Sequence, residues 1–378
     1  MSSNVAMSMR RLGRTDFRVN VLGLGGHTYP VGYDSDCFLS PEARALLVRH
    51  LVSSGVNYFD TTYKEEVELL FDSFRRADIK DDVLISLWGG ITTDRLWRQK
   101  LRKELETRLD ILGYTDAPLF AVSIGDGEES YGNIVAACEA IARLKEERLA
   151  RNIGVSCHAI NLYPMIGRII RETDMLDYIM VRFNWKYQQA NEELFPIAED
   201  HDVGIVGMKL FCWDCGPASW ERRISVFEPL SDVGRKMSWP SLTPAQRHLL
   251  WCIQNSPCDV VVPSMNSMRE ANENLQAVKS LDAKVGSDDF EEYSLRLWNK
   301  EEIRKLALHA ESRTIRERAE ILLTLGRWWD NILSRTIKAH CRVLRNEGLG
   351  KYLLYSYLYR KEQLTGLINK VRTRAGTE

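Results

Sequence analysis

Eight short apolar runs, each followed by a stretch of helical character, constrain this 378-residue chain more than any other feature. They are Val19–Leu24, Val56–Phe59, Asp82–Trp88, Ala117–Ser123, Arg151–Cys157, Asp177–Phe183, Val203–Lys209 and Asp259–Pro263. Near-continuous apolar runs of this length read as strands buried on both faces, which is the habit of parallel sheets. Parallel neighbours require crossovers, and those are right-handed. Eight such units at this length predict an α/β fold of the (β/α)8 type. A doubly wound sheet is the alternative, but no Gly-x-Gly-x-x-Gly follows the first run, and Gly23-Leu-Gly-Gly26 is a weak substitute. Ser40-Pro41-Glu42 opens a helix with Ser as N-cap and Pro at the first position. Helices are also predicted over Asp94–Leu112, Glu128–Leu149 and Asn191–Asp200, and a hairpin over Arg10–Asn20 turning at Gly13.

In a barrel of parallel strands, the C-terminal ends carry the chemistry. Asp60 ends the second run, Tyr63 lies three residues on, and Lys64-Glu65-Glu66 starts a helix. Asp60 is therefore either a working carboxylate or the cap of that helix. The other strand ends bring His27, Ser123, Asp126, His158, Arg182 and Lys209 toward the same mouth. The two-residue period places Met180, Arg182 and Asn184 on one face of the sixth strand, opposite Val181 and Phe183. Pointing inward, Arg182 suits a carboxylate or phosphate held by paired hydrogen bonds, or else an ion pair with Asp60 or Glu65. The long Leu210–Leu242 connection carries Phe211, Trp213, Trp220, Phe227 and Trp239, which either close over an apolar ligand or pack on one another.

A hydrophobic content of 44% supports a substantial core. The net charge of −1 argues against a general polyanion binder, and so against nucleic acid. The charge is uneven, however: from Lys300 onward there are 17 Lys/Arg and 9 Asp/Glu, or +8, leaving −9 on the rest. Beyond Lys284 the pattern is helical only. Two units are predicted, a barrel over residues 1–284 and a helical extension over 285–378 that packs on it through patches including Trp298, Trp328 and Trp329. The basic tail offers a docking face for a protein partner. No apolar run reaches the roughly 18 residues a membrane span needs, and the first residues lack a signal-peptide pattern. Eight scattered cysteines form no disulfide framework, which fits a reduced, cytoplasmic protein. Cys212-Trp-Asp-Cys215 lacks the second ligand pair that a zinc site needs, so no metal is expected. The adjacency of Cys157 and His158 does not by itself bring their side chains together.

The ordered set of motifs resembles the aldo/keto reductase superfamily over about residues 8–283. The matching stretches are Arg10 to Gly26, Gly55-Val-Asn-Tyr-Phe-Asp-Thr61, Leu144 to Ser156, Ala190-Asn-Glu-Glu-Leu-Phe-Pro196 leading to Gly207-Met-Lys209, and Val262-Pro-Ser-Met-Asn-Ser267 to Glu273-Asn274. The helical tail is similar to a ferredoxin-like extension found in some members. Its cluster-binding cysteine runs are absent, with only Cys341 in the tail, so no iron–sulfur cluster is expected.

The resemblance implies a TIM barrel, NAD(P)H lying across the strand ends, and hydride transfer to a carbonyl. In the family a Tyr acid, a Lys, an Asp and a His carry this chemistry. The Asp corresponds to Asp60. The Tyr normally comes five residues later, where Glu65 stands, so Tyr63 takes the role only in a loop two residues shorter. Trp88 stands at the Lys position and Ser123 at the His position. On the cofactor side Ser156 is kept, Cys157 replaces an Asn, and Met180 replaces a Gln. Glu270 stands where an Arg would pair the 2′-phosphate of NADPH, which leaves Ser267, Glu273 and Asn274 for the adenine end. The expectation is no NAD(P)H, or weakly bound NAD(P)H. The predicted function is non-redox acid/base chemistry on a small molecule (elimination, cyclisation or isomerisation). Asp60, Tyr63 and Arg182 are its core, with His27, Trp88, Ser123, His158, Lys209 and Trp213 around the pocket. An NAD(P)H-dependent carbonyl oxidoreductase and a catalytically inactive partner subunit are the alternatives.

Overall fold

The computed structural model describes residues 9–26, 39–79, 83–90, 96–124, 130–185, 187–211, 242–282 and 285. The expected helical extension lies outside the described residues apart from Val285. So do His27, Asp126, Trp213 and the Cys212/Cys215 pair.

Strands β1 (Met9–Arg11) and β2 (Arg18–Asn20) form the predicted hairpin, with Met9 opposite Asn20. The parallel strands then follow in sequence order: β3 (Tyr58–Asp60), β4 (Leu84–Gly90), β5 (Ala117–Ile124), β6 (Ala150–Cys157), β7 (Tyr178–Arg182), β8 (Gly204–Met208) and β9 (Val260–Val261). Residues 21–25 close the ring as the eighth member. On one side the Gly23 amide donates to the Val261 carbonyl at 2.9 Å; on the other, the Leu24 amide donates to the Tyr58 carbonyl at 2.9 Å and the Asp60 amide to the Leu24 carbonyl at 2.8 Å. The predicted barrel is the one observed.

Around it run α1 (Pro41–Ser53), α2 (Lys64–Ala77), α3 (Trp97–Leu112), α4 (Tyr131–Glu146), α5 (Tyr163–Glu172), α6 (Ala190–Glu193), α7 (Phe195–Asp200), α8 (Pro244–Gln254) and α9 (Met268–Lys279). Ser40 caps α1 as expected, its hydroxyl accepting from the Ala43 amide at 3.2 Å. The single helix expected over Asn191–Asp200 is instead two, with the break at Leu194 (φ −133°). Pro196 lacks the amide that a continuous helix would use there, and it sits instead in the first turn of α7.

Strand parity sorts the core into two layers. Phe59, Ile85, Leu87, Val155 and Val181 face the helices, while Tyr58, Trp88, Leu119, Ala121, Tyr178, Met180 and Val206 fill the barrel. Leu12, Phe17 and Val19 of the hairpin join the interior set and plug the N-terminal end. Two glycines make this packing possible. A Cβ on Gly13 (φ +48°) would lie 2.0 Å from the Gly204 amide nitrogen, and one on Gly154 would lie 2.5 Å from the Tyr178 carbonyl. Among the described residues, no helix is long and apolar enough to cross a membrane, and no cluster of His, Cys, Asp and Glu is arranged to hold a metal ion.

Candidate active site

Asp60 ends β3 two residues after Tyr58, so the same parity turns both into the barrel. It is buried, 8% exposed, and does not cap the following helix. That position belongs to Tyr63, half-buried at the start of α2. The helix brings Glu66 back over the strand end. One Glu66 oxygen accepts from the Thr62 amide at 2.6 Å and from the Tyr63 amide at 3.4 Å. Burial, and then the Glu66 carboxylate, push Asp60 up to about 8. The Trp88 indole N–H, the Gly26 amide and Lys209 pull more weakly the other way. The indole does not reach good hydrogen-bonding geometry: Asp60 Oδ1 and Trp88 Nε1 are both buried and unpartnered. Asp60 is therefore largely protonated at neutral pH. It also lines, with Gly26, Arg44, Thr61, Glu66 and Met265, a cavity whose water-centre volume is about 30 Å³. That admits a water or two, not a substrate.

Trp88 lies in the barrel interior, 4% exposed, one step above Ser86, whose partner across the ladder is Asp60. Beneath them Ser86 Oγ and Tyr178 Oη are 3.5 Å apart. The fully buried Tyr58 hydroxyl is raised well above its usual range, first by burial and then by Asp60 and Tyr178. Neither Tyr58 nor Glu66 was among the candidates drawn from sequence. Parity with Asp60 points to the first, and the N3 position of a capping box to the second.

The ends of β6, β7 and β8 assemble the cationic side. His158 follows Cys157, which pairs with Val181; Arg182 pairs with Met208; and Lys209 comes next. Burial first, then Lys209 and Arg182, pull His158 down to about 4, so its ring is neutral. Its Nδ1 is buried and unpartnered. Arg182 makes no ion pair with Asp60 or Glu65. Its guanidinium lies over the Tyr187 ring, 5.1 Å from the centroid, and the Tyr163 hydroxyl donates to its carbonyl at 2.8 Å. Lys209 adopts a left-handed backbone (φ +58°), and its carbonyl accepts from Asn184 Nδ2 at 2.7 Å. A non-glycine residue in that region is uncommon and needs such support. Ser123 is half-buried on β5 beside Ser156. The Cys157 thiol donates to the Ala159 carbonyl at 3.3 Å and packs in the outer layer, away from the His158 face.

The residues present fit a dinucleotide in part. The Ser156 hydroxyl is fully buried and unpartnered beside Met180, as a carboxamide partner would be. The start of α9 is already filled from within. Ser267 Oγ accepts from the Glu270 amide at 3.1 Å, and Glu270 Oε2 accepts from the Asn266 amide at 2.7 Å. Glu273 accepts from the Thr243 hydroxyl, and Asn274 is buried. A carboxylate in the first turn of that helix disfavours a phosphate bound against it.

A closed eight-stranded parallel barrel with titratable groups at the C-terminal strand ends defines a TIM-barrel enzyme scaffold. The aldo/keto reductase family profile matches residues 21–288, and the chain belongs to that family. It is 24% identical over 250 residues to pyridoxine 4-dehydrogenase of Escherichia coli (strain K12), covering 62% of this chain and 80% of that protein. The holo form of an aldo-keto reductase from Bacillus halodurans shares the fold, with a TM-score of 0.54 and 19% identity over 77% of this chain and 96% of that one.

Proposed function

We propose that this barrel acts on a small molecule by proton transfer at Asp60, in an elimination, cyclisation or isomerisation rather than a hydride transfer. The observation that carries the reading is the buried, unpartnered Asp60 Oδ1 at the strand end, on a carboxyl pushed up to about 8. A carboxylic acid of that strength can donate a proton near neutral pH and take it back later, the range in which general acids and bases work best. The family's Lys and His positions, by the resemblance, hold Trp88 and Ser123, so the family's hydride-transfer set is incomplete. Arg182 anchors an anionic group of the substrate from the opposite side of the mouth, and Trp88 supplies a flat apolar wall. Tyr63 stays in the scheme as a group at the edge of the pocket.

A second reading has support of its own. The relative named a dehydrogenase and the free Ser156 hydroxyl favour a carbonyl oxidoreductase using NADH. Titration with NADH and NADPH, followed by fluorescence quenching, separates the two. The acid–base reading expects weak or no binding of either, and low-micromolar affinity sinks it. Once a substrate is in hand, Asp60→Asn is expected to lower turnover by about 10²–10⁴-fold with the fold intact, as removal of a positioned acid does. Full activity in that variant moves the chemistry elsewhere.

A further inference from the structure

We infer that His158, Arg182 and Lys209 form an oxyanion pocket that takes up one proton as it binds the carboxylate or phosphate end of the substrate. This deepens the reading of the barrel mouth as the substrate pocket. It is measured without turnover, so it can fail while the role of Asp60 stands.

The geometry comes from three neighbouring strands. Inward parity runs from Ser156 on β6 to His158 just past its end, and from Met180 to Arg182 on β7. On β8 the chain passes Met208 and turns left-handed at Lys209, which departs from strand alternation. Two cations therefore converge on one imidazole whose Nδ1 has no partner. A buried polar atom left this way is costly, and a ligand that partners it relieves the cost. Among the described residues, the titratable groups facing His158 from β7 and β8 are Arg182 and Lys209. On its own segment, Cys157 bonds to a backbone carbonyl. The nearby Tyr163 hydroxyl is raised by burial and donates to the Arg182 carbonyl. Among the described residues, Asp60 is linked to this group through Lys209. The Arg182 guanidinium, stacked on Tyr187, is held in place rather than spent on an ion pair.

Without a bound anion, the burial and the two cations repel a proton from His158. An oxyanion reverses the sign: it offsets both cations and accepts from the imidazolium. Ligand and proton then bind together, and by reciprocity each raises the affinity of the other. Between the two His158 pKa values, free and liganded, oxyanion affinity falls as pH rises, approaching about tenfold per pH unit for one linked proton.

The test uses the full chain with sulfate, which does not titrate here, and with acetate as the carboxylate probe. Calorimetry in buffers of different ionisation heat counts protons taken up, and imidazole NMR follows His158, assigned through His158→Asn. The expected result is uptake approaching one proton near pH 6, an upward-shifted His158 titration, and no uptake in His158→Asn. Arg182→Met is expected to weaken binding about tenfold or more. Stronger binding of sulfate than of acetate marks a phosphate-type ligand; the reverse marks a carboxylate. An unmoved His158 titration, binding without proton uptake, or no binding of either probe overturns the inference. So does a His158 shift produced by NADH and by neither probe.

Discussion

The two ends of this barrel use similar polar side chains to opposite effect. At the N-terminal end they are spent on the backbone. Asp177 accepts from the Ile153 amide at 2.9 Å and from Lys145 Nζ at 2.6 Å. Asp259 accepts from the Ile205 amide at 2.8 Å, and Asn57 from the Asn20 amide at 2.9 Å. Each of these side chains takes a backbone amide of a neighbouring strand. At the C-terminal end the corresponding atoms are left over: Asp60 Oδ1, Trp88 Nε1, Ser156 Oγ and His158 Nδ1 are buried without partners. Leaving such groups unsatisfied costs stability, and a ligand that supplies the missing partners recovers it. The contrast is one of degree, since Tyr58 Oη at the start of β3 and Arg14 Nε in the hairpin are also buried without partners.

The harshest way to break this comparison is to exchange the expected phenotypes. Asp177→Ala frees the Ile153 amide and strands Lys145, so unfolding stability is expected to fall by about 2–4 kcal/mol, read from denaturant midpoints at constant slope. Activity per folded molecule is expected to be unchanged. A variant that kept its stability and lost turnover would place chemistry at the wrong end.

A second test uses pH. The folded-state pKa of Asp60 is raised from 3.8 to about 8, so below pH 4 both folded and unfolded states hold the proton and nothing is lost. As pH climbs from about 4 to about 8, only the folded state keeps it, and stability falls through that window by an amount of order a few kcal/mol. Above about 8 the loss is complete. Asp60→Asn removes the titration, so its stability should exceed that of the parent at pH 8, with the gap closing toward pH 4. Identical pH profiles for the two proteins would show that Asp60 is not held protonated by its surroundings.

How much of this was legible in the sequence follows from the range of the interactions. The strands and their inward and outward faces depend on period-two patterns within a few residues, and the faces assigned to Met180 and Val181 hold in the structure. Ring closure by residues 21–25 follows from the count of eight runs. The neighbours of Asp60 do not follow from such patterns. Trp88 comes beside it only through the register of β3 with β4, and Lys209 through the whole circuit of the barrel. Glu66 reaches back because α2 starts at Lys64 with Tyr63 as cap, a position that local reading offered to Asp60 instead. The break at Leu194 was signalled by Pro196. The left-handed turn at Lys209 carried no signal, because lysine has no preference for that region.

The smallest expected effect sharpens the comparison at a place where the C-terminal end behaves like the other one. Glu270 sits at the mouth side of the barrel yet is spent on structure, accepting from the Asn266 amide while Ser267 caps the same turn. Glu270→Gln keeps an oxygen for that amide and removes the charge. Stability is therefore expected to change by no more than about 0.5 kcal/mol, well short of the roughly 1 kcal/mol that loss of a cap costs. The removed carboxylate would have faced a 2′-phosphate, and a half-exposed pair of like charges is worth about 1 kcal/mol in water. NADPH affinity should then rise by about fivefold over the parent, with NADH affinity unchanged, both read by fluorescence quenching. An equal gain for the two dinucleotides would mean that the charge at Glu270 does not face the phosphate position. A marked loss of stability would mean that the cap depends on the charge itself rather than on the hydrogen bond.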